Sequence, residues 1–274
     1  MNLDQAKTIP GAVDVHVHLR DPAGLADAAA AGIAALRDAG TKNGAGLLAA
    51  SPGGPQVISA GWALARKGGY GAFFGAAIES REEIKAEIGK LRSAGAGIIK
   101  VMASGMVSLK DPGGITPGGF GPDDLRFIVD EAARFGLSVM AHANGEAAIR
   151  NSAEAGVRSI EHGFFMTEKA LASLKAHNVW WVPTVGALLR AAEAQGVSAE
   201  MRKFIETTIS GHLAMVHKAF KMGAPLAVGT DCTLPDPHYR DAYEAELAYF
   251  RDAGIPGDDL RRIATEGGRE LLGL

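Results

Sequence analysis

The sequence predicts an α/β fold: one barrel of eight parallel strands alternating with helices, spanning residues 1–274 as a single domain. Three observations predict it. Short apolar runs recur along the chain, with helix-period segments between most of them. Many of the 36 glycines punctuate that alternation. The length of 274 residues suits one such barrel. A doubly wound open sheet is the alternative, and it is weakened because no GxGxxG turn follows the first strand.

The runs that fit buried parallel strands are Val13–Leu19, Ala45–Ala50, Ala72–Ile78, Gly97–Ala103, Leu137–Ala143, Arg158–His162, Val179–Val185 and Pro225–Thr230. Ala45–Ala50 and Arg158–His162 are both short. Between the third and fourth runs, "SREEIKAEIGKLRSAG" places Glu83 three residues after Ser80, a capping-box spacing, and stops near Gly95. After the fourth, "GPDDLRFIVDEAARFG" puts Pro122 near a helix start, acids in its first turn and Gly136 past its end. The segment Asp111–Pro122 holds five glycines and three prolines, which makes it either a plain surface loop or a cover over a site at the strand ends.

Composition excludes several classes. A net charge of −3 leaves no electrostatic footprint for nucleic acid. No 18-residue apolar run reads as a membrane span. "MNLDQAKTIPG" lacks the apolar core of a secretory leader, and the single cysteine, Cys232, excludes an internal disulfide. The expected setting is cytoplasmic, with a small-molecule partner and room for a homo-oligomer.

Chemistry enters at "VDVHVHLRDP". Residues two apart on a strand share a face, so Asp14, His16, His18 and Arg20 are expected inside or at the mouth of the barrel. Val13, Val15, Val17 and Leu19 are expected toward the helices. Two imidazoles at this spacing either converge on one ion, at roughly 2.0–2.1 Å each, or are hydrogen-bonded core histidines. Other strand ends decide between these readings. "GIIKVMASG" embeds Lys100 in an apolar run, where lysine is rare unless paired or snorkelling. His142, His162 and Asp231 each sit at or near a strand's C-terminal end, where barrel enzymes keep their chemistry. Core histidines have no reason to follow that rule, so His16, His18, Lys100, His142, His162 and Asp231 read as one metal site.

This set resembles the amidohydrolase superfamily. "IPGAVDVHVHL", "IIKVMASG", "MAHANG", "IEHG", "AVGTD" and "ATEGGRELLGL" look most like the imidazolonepropionase-like and prolidase-like branch, and "DVHVHLRDP" resembles the dihydroorotase signature. Relatives often carry a small β-sandwich around the barrel. About a dozen residues before the first strand, and a last residue Leu274, predict none here.

The resemblance implies two divalent ions, most simply Zn²⁺. His16, His18 and Asp231 would hold one, His142 and His162 the other, and a carboxylated Lys100 would bridge them. Metal-bound hydroxide would then attack a C–N bond in an amide or cyclic amide, such as a carboxylate-bearing lactam, imide or hydantoin-like ring. Asp231 would serve as general acid and base. A one-ion variant, with Zn²⁺, Fe²⁺, Mn²⁺ or Ni²⁺, would use His16, His18, His142 and Asp231. The same ligands would also serve a dipeptidase, an N-acyl amino acid hydrolase, a lactonase, or a metal-dependent isomerase or decarboxylase.

Substrate contacts are read at three further places. Arg20 matches the dihydroorotase arginine that binds a substrate carboxylate, or else pairs with Asp21. Asn144 follows His142 and is placed to touch substrate. His238 stands at the rim or on the surface. Asp14 is expected to brace the site through hydrogen bonds, and one of Trp180 and Trp181 to face the barrel. His212 and His217 read as ordinary.

Overall fold

The computed structural model describes residues 9–50 and 52–274. Residues 1–8 of the stretch read as lacking a secretory leader lie outside them. The strands are β1 Ala12–Leu19, β2 Ile33–Asp38, β3 Gln56–Ser59, β4 Ala63–Arg66, β5 Gly75–Ile78, β6 Ile98–Met102, β7 Ser138–Ala143, β8 Ser159–His162, β9 Trp180–Val182 and β10 Cys232–Leu234. The helices are α1 Leu25–Ala30, α2 Arg81–Ser93, α3 Pro122–Ala133, α4 Glu146–Ala155, α5 Glu168–Ala176, α6 Val185–Gln195, α7 Ala199–Met222, α8 Tyr239–Asp252, α9 Gly257–Arg262 and α10 Gly268–Leu272. Among the described residues no helix is long and apolar enough to cross a membrane.

The strands form two parallel sheets, ordered β10-β1-β2-β3 and β5-β4-β6-β7-β8-β9. Backbone hydrogen bonds run between them on both sides. Trp181 N donates to Pro225 O (2.9 Å), Ala227 N to Trp181 O (3.1 Å) and Val15 N to Val228 O (3.0 Å), so the chain around 225–228 lies between β9 and β1. On the other side Gly97 N donates to Ser59 O at 2.9 Å.

Local chemistry sets the helix boundaries. Ser80 and Glu83 cap α2 reciprocally, with Glu83 N donating to Ser80 Oγ at 3.2 Å and Ser80 N to Glu83 Oε2 at 3.3 Å. Helix α2 then buries Ile84, Ile88 and Leu91. Each such side chain stabilises the fold by about 1.5–3 kcal/mol, so Ile88→Ala would cost about 2–5 kcal/mol. Pro122 opens α3, and Gly136 follows its end at φ 70°.

Several expected strands differ. Ala45–Ala50 is not a strand: after Gly44 at φ 63°, Ala45–Leu48 forms a 3-10 turn. Instead β2, β3 and β4 fill that part of the sheets, and none of them stood out as an apolar run. Ala72–Ile78 shrinks to β5, because an aromatic turn occupies the residues before Gly75. Val179–Val185 shrinks to β9, because Thr184 turns to φ 46° and α6 begins at Val185. Pro225–Thr230 contributes one isolated bridge, Leu226 to Trp181, ahead of β10.

The simple alternation expected along β1 also fails. Val17 and Leu19 join the helix-facing core with Leu25, Ala28 and Tyr239. Val13 and Val15 pack instead with Ala35, Trp180, Val182 and Ala227. The β1–β2 register shifts between Asp14 and Val17, and the parity changes there. Asp14 therefore does not share the face of His16: its Oδ2 accepts from Tyr239 Oη at 3.0 Å, on α8.

Candidate metal centre

Six side chains from five separate segments line one cavity of about 320 Å³. His16 and His18 come from β1, Lys100 from β6, His142 from β7, His162 from the last position of β8, and Asp231 from the turn before β10. Asp231 Oδ1 lies 3.3 Å from His16 Nε2 and 3.2 Å from His18 Nε2, and its Oδ2 lies 3.9 Å from His162 Nδ1. Donor atoms of His16, His18 and Asp231 all fall within 4.8 Å of one another, a grouping that could hold a metal ion.

Hydrogen bonds fix which ring nitrogen is free. His16 Nδ1 donates to Glu161 Oε2 (2.7 Å) and His18 Nδ1 to Gly40 O (2.6 Å), so each Nε2 carries a lone pair toward Asp231. Gly105 O can only accept, so His142 Nε2 donates to it at 3.0 Å and Nδ1 keeps the lone pair. His162 Nδ1 bonds Thr184 Oγ1 at 2.7 Å. His16 Nε2 is buried without a hydrogen-bond partner: it reaches ion-pair distance of Asp231 but not hydrogen-bond geometry. A buried, unsatisfied lone pair is costly, by about 1–3 kcal/mol, and an ion would satisfy it.

Electrostatics place the groups in ligand form. Burial first, and then the Lys100 charge, push His16 down to about 4 and His142 to about 3. Burial, then the neighbouring His142, holds His162 well below its ordinary value. These imidazoles are neutral at pH 7. Burial works to raise Asp231, but His16, His18 and His162 hold its carboxyl well below the usual range. Burial pushes Lys100 down to about 8, so its amine readily gives up a proton.

The frame around these residues is polar and tightly held. Glu161 accepts from His16 through Oε2. Its Oε1 accepts from Arg37 Nη2 at 2.8 Å and from Ser159 Oγ at 2.5 Å. Burial works to raise Glu161, but Arg37 and His16 hold it down at about 2. Asp14 accepts from His16 N (3.0 Å), Thr230 N (3.1 Å) and Thr230 Oγ1 (2.7 Å), and so ties β1 to the turn that carries Asp231. Asp231, His162 and Thr184 all sit at positive φ (57°, 67° and 46°), backbone strain of about 1–3 kcal/mol each that the surrounding bonds must hold. Gly229 lets two strands approach: a Cβ there would lie 2.8 Å from His16 Cβ and 2.6 Å from Val182 Cγ1.

The expected substrate contacts separate. Asn144 is buried beside the site, with Oδ1 accepting from Phe164 N (3.0 Å) and Nδ2 donating to Gly105 O (3.2 Å). It lines an adjoining cavity of about 140 Å³. Arg20 is exposed and lines neither cavity. The His238 side chain is 83% exposed, 3.8 Å from Asp241. Residues of Asp111–Pro122 line neither cavity; Gly118 and Gly119 pack on Gly69–Tyr70 and Ala103–Ser104 instead. Tyr70, whose ring lies 4.9 Å from His142, and Phe74, stacked 4.8 Å from His18, cover the site. Neither tryptophan lines either cavity; Trp181 Nε1 donates to His162 O at 2.9 Å.

Sequence reasoning missed Glu161, Arg37, Tyr70, Phe74 and Arg190. Glu161 carries the same signal as Lys100, a charge inside a short strand, and stands directly before His162.

A family model described as the amidohydrolase family matches residues 8–274. Ochratoxinase of Aspergillus niger is 31% identical over 217 residues, 78% of this chain but only 44% of that protein. The chain thus aligns with under half the length of that curated relative. An uncharacterized protein of Mycobacterium tuberculosis is 27% identical over 284 residues, 97% of this chain and 74% of that protein. Among solved structures, a Xaa-Pro dipeptidase with bound methionine superposes with TM-score 0.80 at 22% identity, covering 96% of this chain and 75% of the other. The A. niger ochratoxinase crystal structure gives TM-score 0.79 at 24% identity, covering 96% and 71%.

Proposed function

Because the chain belongs to the amidohydrolase family, we propose that it is a metal-dependent hydrolase that cleaves a C–N bond in an amide or cyclic amide. One observation carries the reading: the buried, unpartnered Nε2 of His16 converges with His18 Nε2 and Asp231 Oδ1 inside a cavity. In this reading the chain forms one domain, and the two sheets join as a single (β/α)₈ ring through the bonds at Trp181–Pro225 and Gly97–Ser59.

The donor set suits divalent ions such as zinc. His16, His18 and Asp231 would hold one ion and His142 and His162 a second. Lys100 would bridge both as a carbamate: its neutral amine adds to carbon dioxide, forms an N–C bond and releases a proton. When bound, such ions supply Lewis acidity and lower the pKa of water toward about 7. The chain's own residues do the rest. Asp231, ionised and lining the cavity, would take a proton from the attacking water and return it to the leaving nitrogen. Glu161 and Gly40 orient the β1 imidazoles, and Asp14 fixes the Asp231 turn. Tyr70 and Phe74 wall the cavity beside His142 and His18.

Similarity to ochratoxinase and to a Xaa-Pro dipeptidase favours a second reading on the same site, hydrolysis of dipeptides or N-acyl amino acids. The test is a panel of lactams, hydantoins, N-acyl amino acids and dipeptides, assayed with zinc and bicarbonate, after chelation, and after zinc is returned. Turnover is expected to vanish with the metal and return with it, at two ions per chain. One ion at full activity would favour the His16, His18, His142 and Asp231 variant. Full activity in metal-stripped protein would refute the proposal.

A further inference from the structure

The cavity that holds the six site groups is one of two lobes. Its polar lobe contains one arginine, Arg190, which reaches in from α6. The second lobe, of about 140 Å³, is lined by Met106, Val107, Phe164 and Leu188 and has no lysine or arginine in its wall. Both lobes share Tyr70, His142, His162 and Asp231, so the site groups stand at their junction.

Arg190 is held in place; the buried Glu246 lies near enough to feel its charge, but no described carboxylate stands within ion-pair distance. Nη2 donates to Thr230 O, the carbonyl just before Asp231. Gly186 makes room for the guanidinium, since a Cβ there would lie 2.6 Å from Arg190 Nη1. The nearby acid, Glu246, spends both oxygens on the start of α6, accepting from Val185 N at 2.6 Å and Gly186 N at 3.0 Å. Arg190 makes no ion pair with any described carboxylate. A fixed, half-buried guanidinium in a cavity, with donors to spare, suits a planar anion.

Resting on the hydrolase reading above, we infer that the substrate is a carboxylate-bearing amide with an apolar group. Arg190 receives the carboxylate, the second lobe takes the apolar group, and the scissile bond lies between them at Asp231. Arg190 thus takes the part the sequence assigned to Arg20, which stands outside both cavities.

The test is calorimetric binding of 4-phenylbutanoate, its amide 4-phenylbutanamide, and butanoate, to zinc-loaded and zinc-free protein. Wild type is expected to prefer the acid over its amide, and 4-phenylbutanoate over butanoate, each by about tenfold or more. Arg190→Met is expected to weaken the acid by about tenfold in both metal states and to leave the amide unchanged; Arg190→Lys retains part of the preference. A wild-type preference for acid over amide below threefold overturns the inference without recourse to any variant. So does an Arg190→Met protein that binds the acid within threefold of wild type. Zinc content, measured in parallel, separates the two readings. If zinc binds and the acid preference is absent, only this inference falls. If zinc fails to bind and the preference persists, the metal reading falls instead.

Discussion

His16 and His212 are alike in burial and unlike in surroundings. Each has one ring nitrogen without a hydrogen-bond partner, Nε2 in His16 and Nδ1 in His212, and burial pushes each down to about 4. His212 bonds Pro183 O through Nε2 at 3.2 Å, stacks on Phe164 at 4.5 Å and meets Trp181 edge-on at 5.2 Å. Its ring is packed among aromatic rings, with no carboxylate or second imidazole beside it among the described residues. The orphan nitrogen of His16 looks onto a carboxylate and a second imidazole. An unsatisfied lone pair is therefore not in itself a metal signal. Convergence of several lone pairs on one point is.

The largest effect that could break this contrast belongs to His16→Ala. Metal affinity is expected to fall by more than about 100-fold, because losing even an outer partner of a ligand costs about 10–100-fold. Metal analysis by plasma emission checks it, and unchanged zinc content would erase the distinction between the two histidines. Glu161→Gln should do less and do it twice. The amide still accepts from His16 but no longer neutralises Arg37, so zinc affinity should fall by about 10–100-fold and stability by about 3–5 kcal/mol. A drop in thermal midpoint at constant zinc affinity would mean that Glu161 serves Arg37 alone. His212→Leu should do least. It loses the bond to Pro183 O but removes an unpartnered nitrogen, so denaturant unfolding should shift by no more than about 1 kcal/mol, with zinc content unchanged.

The sequence made one half of the site legible and hid the other. His16, His18, Lys100, His142, His162 and Asp231 were readable because polar groups inside apolar strand runs are unusual, and because the strand-end rule ties them together. Arg37 was hidden because "IAALRD" is an undistinguished stretch whose strand character depends on pairing with β1. Arg190 was hidden because the strand was expected to run to Val185, whereas the left-handed turn at Thr184 starts a helix early enough to swing that arginine over the cavity. Asp14 was expected to brace the site and does hold the Asp231 turn. It does so from the opposite face, because a register shift inside β1 cannot be read from alternation alone.

Asp14 and Thr230 stand 216 positions apart, yet two hydrogen bonds join them. A ribosome therefore delivers the first two imidazoles long before the carboxylate they converge with. For most of translation β1 lacks the neighbour supplied by the chain around 225–234, and its edge is open to wrong pairings. Assembly of His16, His18 and Asp231 into one cluster must wait until the chain around Asp231 has emerged. On the proposed metal reading, uptake by this trio would follow folding of the region around Asp231 rather than nucleate it.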